Sequence, residues 1–298
     1  MQSPVRQRGP DVIGGSAYAV RGYALHGLRI ASEIALPVHA ATDIARGVDV
    51  HIERGPVALA GDLFWESTLP PRCGCRRHGD QIVIDWDVAR FAVSEDRIVV
   101  DAVHESLMVQ LLIQPVWAIL LTARGRQALH ACAVERNGRA IAVAGESGSG
   151  KSTAALTLID AGWRLLTDDL LTFDGHHLAY PGPQYVRLRP DRATDRAGEW
   201  DGLGKLRYTP AARADPAPVD TVVILDEQFD AIRRLSGFEA IDVLLRHIYN
   251  VILTHPGQAG QRLDFAMQLA SSATIVGAPP RSLSSTQLIE LASQGVAR

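Results

Sequence analysis

The residues best suited to chemistry stand in one run, Gly145-Glu-Ser-Gly-Ser-Gly150-Lys151-Ser152, which follows a short apolar stretch. The run fits the G-x-x-x-x-G-K-[ST] pattern of a phosphate-binding loop, in which backbone N–H groups surround a phosphate. The dipole of the following helix adds positive charge, while the lysine can reach the β- and γ-phosphates and the serine hydroxyl can bind Mg²⁺. The pattern predicts nucleoside triphosphate binding by Gly145, Glu146, Ser147, Gly148, Ser149, Gly150, Lys151, Ser152 and Thr153.

Two adjacent carboxylates, Asp168 and Asp169, follow a predicted strand at Arg164–Thr167. A strand–helix–strand crossover is right-handed, and it places the ends of both strands at the same edge of a sheet. One carboxylate can then hold Mg²⁺ while the other accepts the proton of an attacking hydroxyl group. The alternative is a solvated turn or a helix cap.

A histidine precedes the loop in a segment that predicts a β-hairpin. Asn137-Gly138 between two alternating apolar runs is a strong signal for a two-residue turn. With that turn Cys132 pairs with Val143, and His130 falls opposite Gly145. The register therefore predicts that His130 lies beside the phosphate loop, and a solvated histidine at a strand start is the alternative.

Further cations follow the acidic pair in a segment, 181–218, that is rich in Pro, Arg, Asp and Gly and predicts irregular structure. Only two of the 30 basic residues are lysines, and one of them is in this segment. A chain that otherwise uses arginine can retain lysine where a compact ammonium group is needed. The candidates for contacts with phosphate or substrate, each of which has a solvated loop residue as its alternative, are Arg187, Arg189, Lys205 and Arg207.

A second acidic pair offers a different interpretation. Asp226 and Glu227 follow the apolar strand Thr221–Leu225, as in a Walker B motif. In ATP hydrolases of this type the aspartate holds Mg²⁺ and the glutamate orients water. The alternative is that both residues only end a core strand.

The composition excludes several classes of protein. The chain has 298 residues, 47% of them hydrophobic and 21% charged, and its net charge of −3 does not favour nucleic-acid binding. Three cysteines and no apolar segment of the signal-peptide type predict a cytoplasmic location. The most apolar segment, Leu107–Leu121, contains two glutamines and Pro115. It predicts a buried helix and not a membrane span.

The pattern along the chain predicts a flexible tail over 1–15, a small β-rich domain over 16–102 and an α/β domain over 103–298. We expect short strands within Tyr18–Val38, and strands at Asp49–Ile52, Gln81–Trp86, Phe91–Val93, Arg97–Val100 and Ala273–Val276. We expect helices at Lys151–Ala161, Gly237–Thr254 and Ser284–Ser293.

In combination, these motifs resemble those of the HPr kinase/phosphorylase family. The resemblance rests on Leu129-His130-Ala131, the hairpin and loop after it, and Leu166-Thr-Asp168-Asp169. It implies a P-loop kinase core related to phosphoenolpyruvate carboxykinase, with ATP and Mg²⁺ as cofactors. It also implies that Asp168 accepts the proton, that Asp169 binds Mg²⁺ together with Ser152, and that His130 and Lys151 belong to the catalytic site.

The segment Tyr23–Pro37 is similar to HPr-kinase-related proteins of peptide biosynthesis, among them the lasso-peptide kinases. These phosphorylate the C-terminal serine of a precursor peptide, which implies a peptide partner. Family members are oligomers, which implies a homo-oligomer. The classical motif with Glu and Arg-Gly-Leu-Gly is absent, and Tyr185–Asp191 stands in its place. A kinase of a small metabolite or free serine, a Walker-type ATPase and a regulatory nucleotide-binding module remain as alternatives.

Overall fold

The computed structural model describes residues 19–41, 46–67, 72–102, 104–174, 178–193, 196–201, 203–249 and 259–296. The expected tail at 1–15 lies outside these ranges. Within them the chain forms a mixed α/β structure with three β-sheets and six α-helices.

The first sheet has eight strands in the order β1-β2-β3-β8-β7-β6-β5-β4, and β2, β3 and β8 run parallel. Its strands are β1 Arg21–Leu25, β2 Leu28–Ser32, β3 Val50–Arg54, β4 Asp62–Ser67, β5 Cys73–His78, β6 Gln81–Trp86, β7 Ala89–Val93 and β8 Arg97–Ala102. The strands predicted before residue 102 are all present, whereas β4 and β5 were not predicted. Strand β4 is an edge strand with no buried residue, so it lacks the alternation that marks a half-buried strand.

A long helix packs against the first sheet. It consists of α1 Glu105–Leu111, a π-helical segment Leu112–Val116 and α2 Trp117–Ala123. Pro115 lies in the π-helical segment, so the helix continues past the proline with a locally changed hydrogen-bond pattern. This helix is long and apolar enough to cross a membrane, but half of it is buried inside the protein. It is therefore a core helix, as predicted.

The second sheet has nine strands and the third has three. The second contains β9 Ala128–Leu129, β10 Ala131–Arg136, β11 Arg139–Gly145, β12 Arg164–Thr167, β13 Leu171–Phe173, β14 Leu178–Tyr180, β18 Ala217–Leu225, β19 Arg233–Leu235 and β20 Thr274–Ala278. The third contains β15 Val186–Leu188, β16 Glu199–Trp200 and β17 Leu206–Tyr208. The prediction of irregular structure over 181–218 was therefore wrong in part, because strands of two or three residues are too short to show a pattern.

The hairpin register agrees with the prediction. Cys132 pairs with Val143, and Arg136 pairs with Arg139 across the turn. Strand β12 pairs with β10 on the far side from β11, so β12 and β11 run in the same direction with β10 between them. Strands β11, β18 and β20 are parallel neighbours. The carboxyl ends of β11, β12, β18 and β20 therefore meet at one edge of the sheet.

Helices cover both faces of the second sheet. Helices α3 Lys151–Asp160 and α6 Ser285–Val296 pack on one face, and α4 Gly237–Arg246 and α5 Ala259–Ser272 pack on the other. Helix α4 ends at Arg246, eight residues before the predicted end at Thr254, and residues 250–258 lie outside the described ranges. Helix α5 was not predicted.

The β1–β2 turn joins the first sheet to the second. His26 is fully buried there; its N–H donates to the Pro181 carbonyl (2.8 Å), and its Nδ1 lies 2.9 Å from the Thr172 hydroxyl. Burial, together with the charge of Arg126, lowers the pKa of His26 to about 3, so the ring is neutral. The turn is thereby fixed next to β13, the strand that follows the acidic pair.

Candidate active site

The glycine-rich loop connects β11 to α3 and has the strained backbone that its glycines permit. Gly145 has φ +153° and Gly150 has φ +115°. A Cβ atom at Gly145 would lie 2.6 Å from both the Leu225 carbonyl oxygen and the Ser149 hydroxyl. Only glycine fits at this position, because side chains rarely adopt this conformation and no space exists for one.

Lys151 is buried, and its ammonium group donates to the carbonyls of Gly145 (2.7 Å) and Glu146 (3.2 Å). The Ser149 hydroxyl is buried in the same loop and has no hydrogen-bond partner among the described residues. Buried polar groups are normally hydrogen-bonded, so this free hydroxyl fits a phosphate oxygen. The loop thus combines a lysine, an unpaired hydroxyl and the start of a ten-residue helix, the donor set that suits a phosphate.

Arg281 contacts the outside of the loop, a role that no local sequence pattern indicates. Its backbone N–H donates to the Ser149 carbonyl, and its Nε donates to the Gly148 carbonyl, both at 2.9 Å. Because Arg281 is 133 residues from Gly148 in the sequence, no local pattern connects the two.

Asp168 lies against the start of α3. Its Oδ1 is 3.4 Å from the Ser152 hydroxyl, and its Oδ2 accepts the Arg187 backbone N–H at 3.2 Å. Burial, followed by the charge of Asp169, raises the pKa of Asp168 to about 7. The Asp168 carboxyl thus faces the phosphate loop through Ser152.

Asp169 points to the opposite side and has φ +74°, an uncommon conformation for a residue with a side chain. Its Oδ1 lies 3.2 Å from His130 Nε2, and its Oδ2 accepts a hydrogen bond from Gln114 Nε2 (3.0 Å). Burial acts to raise the pKa of Asp169, but the hydrogen bond from His130 and the charges of His130, Lys151 and Lys205 lower it overall. Asp169 is thus held as an anion.

His130 is held by its own backbone and by an aromatic neighbour. Its N–H donates to the His247 carbonyl (2.8 Å), and its ring contacts Tyr249 edge to face with centroids 5.6 Å apart. The sequence predicted His130 beside the loop and missed Gln114. The polar side chain of Gln114 within an apolar helix was the available signal for it.

The four basic candidates occupy different environments. The guanidinium of Arg187 donates to Asp201 through Nε (2.9 Å) and Nη2 (2.8 Å). Arg207 lies over the ring of Tyr185 and 3.7 Å from Glu199. Lys205 is partly buried in the turn before β17, whereas the fourth candidate, Arg189, is exposed.

The second acidic pair follows β18, the parallel neighbour of β11. Asp226 Oδ1 accepts the Gln228 backbone N–H at 3.0 Å, and its Oδ2 lies 4.0 Å from Nε2 of the buried His247. Glu227 is exposed. Among the described residues, the Asp226 side chain contacts its own turn and His247, and its backbone N–H donates to the Ala278 carbonyl (3.1 Å).

Two cavities differ in their relation to these residues. One of about 210 Å³ adjoins the loop and is lined by His130, Glu146, Arg246, His247, Ile248 and Tyr249. A larger one of about 550 Å³ lies at the opposite end of β18 and β20, near Asp220 and Thr274. The smaller cavity is the one that adjoins His130, and through it Asp169.

The donor set fits Mg²⁺. The described residues contain no group of three or more His, Cys, Asp or Glu side chains that could hold a metal ion by themselves. Ser152 and Asp168 nevertheless offer a hydroxyl and a carboxylate oxygen side by side at the phosphate loop. Mg²⁺ typically takes one or two protein oxygens and completes its shell with phosphate oxygens and water.

Comparisons with known proteins give one kind of match. No protein-family model matches the chain, and no curated protein matches it. Among the solved structures, the Hpr(Ser) kinase/phosphatase from Coxiella burnetii is similar, with a TM-score of 0.31 and 16% sequence identity. The match covers 55% of this chain and 91% of that one.

Proposed function

We propose that the protein is an ATP-dependent kinase that transfers the γ-phosphate to a hydroxyl group. The observation that carries this proposal is the 3.4 Å contact between Ser152 and Asp168, because it joins the phosphate loop to the acidic pair. A loop that binds triphosphate, next to two carboxylates, meets the requirements of phosphoryl transfer to a hydroxyl.

The loop would bind the triphosphate through its N–H groups and the Lys151 ammonium. Ser152 and Asp168 would hold Mg²⁺, which neutralises charge on the phosphates when bound. The family resemblance implies instead that Asp168 is the base and Asp169 the metal ligand. We propose the exchanged roles, because Asp168 faces Ser152 and Asp169 faces His130.

In the reaction, the acceptor oxygen forms a bond to the γ-phosphorus while the bond from that phosphorus to the β,γ-bridging oxygen breaks. The acceptor hydroxyl proton passes to Asp169, whose orientation His130 and Gln114 fix, and ADP leaves with the electron pair of the broken bond. The low pKa of Asp169 is compatible with this role, because a loose transition state needs positioning more than a strong base.

For the acceptor, we propose a serine hydroxyl on a peptide, as the resemblance implies, and specifically the C-terminal serine of a lasso-type precursor. The 210 Å³ cavity beside His130 is the space available for such a residue. A small metabolite or free serine remains the competing acceptor.

The test is label transfer from γ-labelled ATP with Mg²⁺ to peptides that end in serine, to matched peptides that end in alanine, and to free serine. We expect label on the serine peptides with the wild type and with Glu227→Gln, and at least a 100-fold lower rate with Asp169→Asn. Label on free serine alone would replace the peptide acceptor with a metabolite.

A Walker-type ATPase is the second candidate, because β18 lies next to β11 and ends in Asp226-Glu227. It predicts ADP release without any acceptor and loss of this release in Glu227→Gln. That pair of results would contradict the kinase proposal.

A further inference from the structure

The second lysine of the chain lies in a turn that is connected to the acidic pair. Asp201 forms the turn: its Oδ1 accepts the backbone N–H groups of Leu203 and Lys205, both at 2.9 Å, and its own N–H donates to the Lys205 carbonyl at 2.8 Å. The backbone of Lys205 is therefore fixed on both sides by one residue.

Asp201 is in turn fixed by Arg187. Two guanidinium nitrogens of Arg187 donate to the other carboxylate oxygen of Asp201, and both side chains of this ion pair are about nine-tenths buried. The Arg187 backbone N–H donates to Asp168 (3.2 Å). A continuous chain of contacts thus runs from Asp168 through Arg187 and Asp201 to Lys205.

Two of the other basic candidates already have partners for their side chains. The guanidinium of Arg187 is bound to Asp201, and that of Arg207 lies against Tyr185 and Glu199. Burial acts to raise the pKa of Asp169, and His130, Lys151 and Lys205 in turn lower it, so the charge of Lys205 lies within electrostatic range of this carboxylate.

On the basis of the proposed function, we propose that the Asp201 turn holds the Lys205 ammonium at the acidic pair, where it binds the transferred phosphoryl group opposite Lys151. Lys205 is then a catalytic residue, and Asp201 and Arg187 are positioning residues. The phosphoryl oxygens gain a second cation in the transition state, where charge stabilisation lowers the barrier. This role explains why a chain so rich in arginine has lysine at position 205: a compact ammonium fits beside two carboxylates.

The test measures kcat and KM for peptide phosphorylation by Lys205→Ala, Asp201→Asn and the double variant. Arg192→Ala serves as control, because it removes one exposed positive charge from the same segment. We expect Lys205→Ala to lower kcat about 100-fold with KM for ATP within about threefold of the wild type. Asp201→Asn should lower kcat about tenfold, and the double variant should be no slower than Lys205→Ala, because both changes remove the same contact.

Several outcomes overturn the inference. A Lys205→Ala variant with the kcat of Arg192→Ala, alongside an active wild type, would contradict the role of Lys205 and leave the kinase proposal intact. Additive losses in the double variant would contradict the positioning role of Asp201. A wild type that labels no acceptor would refute the proposed function, and this inference with it. Unchanged ATP affinity and an unchanged thermal midpoint in each variant distinguish lost catalysis from misfolding.

Discussion

At the scale of single residues, the site depends on two neighbouring carboxylates with opposite pKa shifts. Asp168 is buried, and its pKa is raised, whereas Asp169 has His130 and Gln114 as donors, and its pKa is lowered. Two adjacent acids in different environments can perform different tasks.

The first prediction concerns the stability of the free protein against pH. The pKa of Asp168 is about 7 in the folded chain and about 4 in an unfolded one. The folded state therefore binds more protons between these values, and the free energy of unfolding falls as the pH rises from about 4 to about 7. We expect the free energy of unfolding of Asp168→Asn to exceed that of the wild type by about 1–3 kcal/mol at about pH 8. At about pH 4 we expect no such gain in stability. Urea unfolding without nucleotide measures these free energies. An Asp168→Asn variant that is less stable than the wild type at the higher pH would contradict the prediction.

The second prediction concerns Gln114, the donor to Asp169 from the core helix. Gln114→Leu suits the apolar helix but removes a hydrogen bond to a charged group, and we expect kcat to fall about 10- to 100-fold. Gln110→Leu is the matched control one helical turn earlier, because Gln110 Nε2 is buried and has no hydrogen-bond partner among the described residues. Equal rates for the two variants would show that Gln114 does not orient Asp169.

At the scale of elements, the phosphate loop depends on the conformation of its first glycine. Gly145→Ala would bring a methyl group within 2.6 Å of the Leu225 carbonyl and the Ser149 hydroxyl. We expect MgATP binding to weaken at least 100-fold, because the loop N–H groups lose their common orientation. Gly138→Ala in the hairpin turn is the control: it has positive φ and open space, so it should lose about 1 kcal/mol of stability and bind MgATP normally. Calorimetry measures MgATP binding and stability in both variants. Normal MgATP binding by Gly145→Ala would contradict the proposed phosphate-binding role of the loop.

The elements also show what the sequence can predict. The hairpin register and the strand before Asp168 followed from local signals, because turn residues and alternation specify them within a few positions. The third sheet consists of strands of two or three residues, too short for any periodic signal.

Gln114 and Arg281 were not predicted as site residues for a different reason. Gln114 lies 55 residues from Asp169, and Arg281 lies 133 residues from Gly148. Such contacts depend on tertiary packing, which a local pattern does not contain.

At the scale of the whole molecule, the first sheet supports the site through the β1–β2 turn. A Cβ atom at Gly182 would lie 2.2 Å from the Thr167 hydroxyl and 2.5 Å from the His26 ring, and Thr167 precedes Asp168. We expect Gly182→Ala to lower the free energy of unfolding by about 1–3 kcal/mol and to lower kcat. The added methyl group overpacks the contact between the β1–β2 turn and Thr167 and displaces the end of β12.

The control is Gly260→Ala in helix α5, where an added Cβ atom would have no neighbour within 4 Å among the described residues outside its own helix turn. This variant should be as stable as the wild type or slightly more so. Thermal unfolding and label transfer measure both effects. A Gly182→Ala variant that keeps full stability and full rate would show that the first sheet does not support the site.

The measurement that tests the central claim most directly compares ADP formed with phosphorylated peptide formed, in one reaction with ATP, Mg²⁺ and a serine-ended peptide. A kinase predicts equal amounts of the two products, with both lost in Asp169→Asn and both retained in Glu227→Gln. ADP that accumulates with free phosphate and no phosphopeptide, and that disappears only in Glu227→Gln, would contradict the kinase and indicate an ATPase.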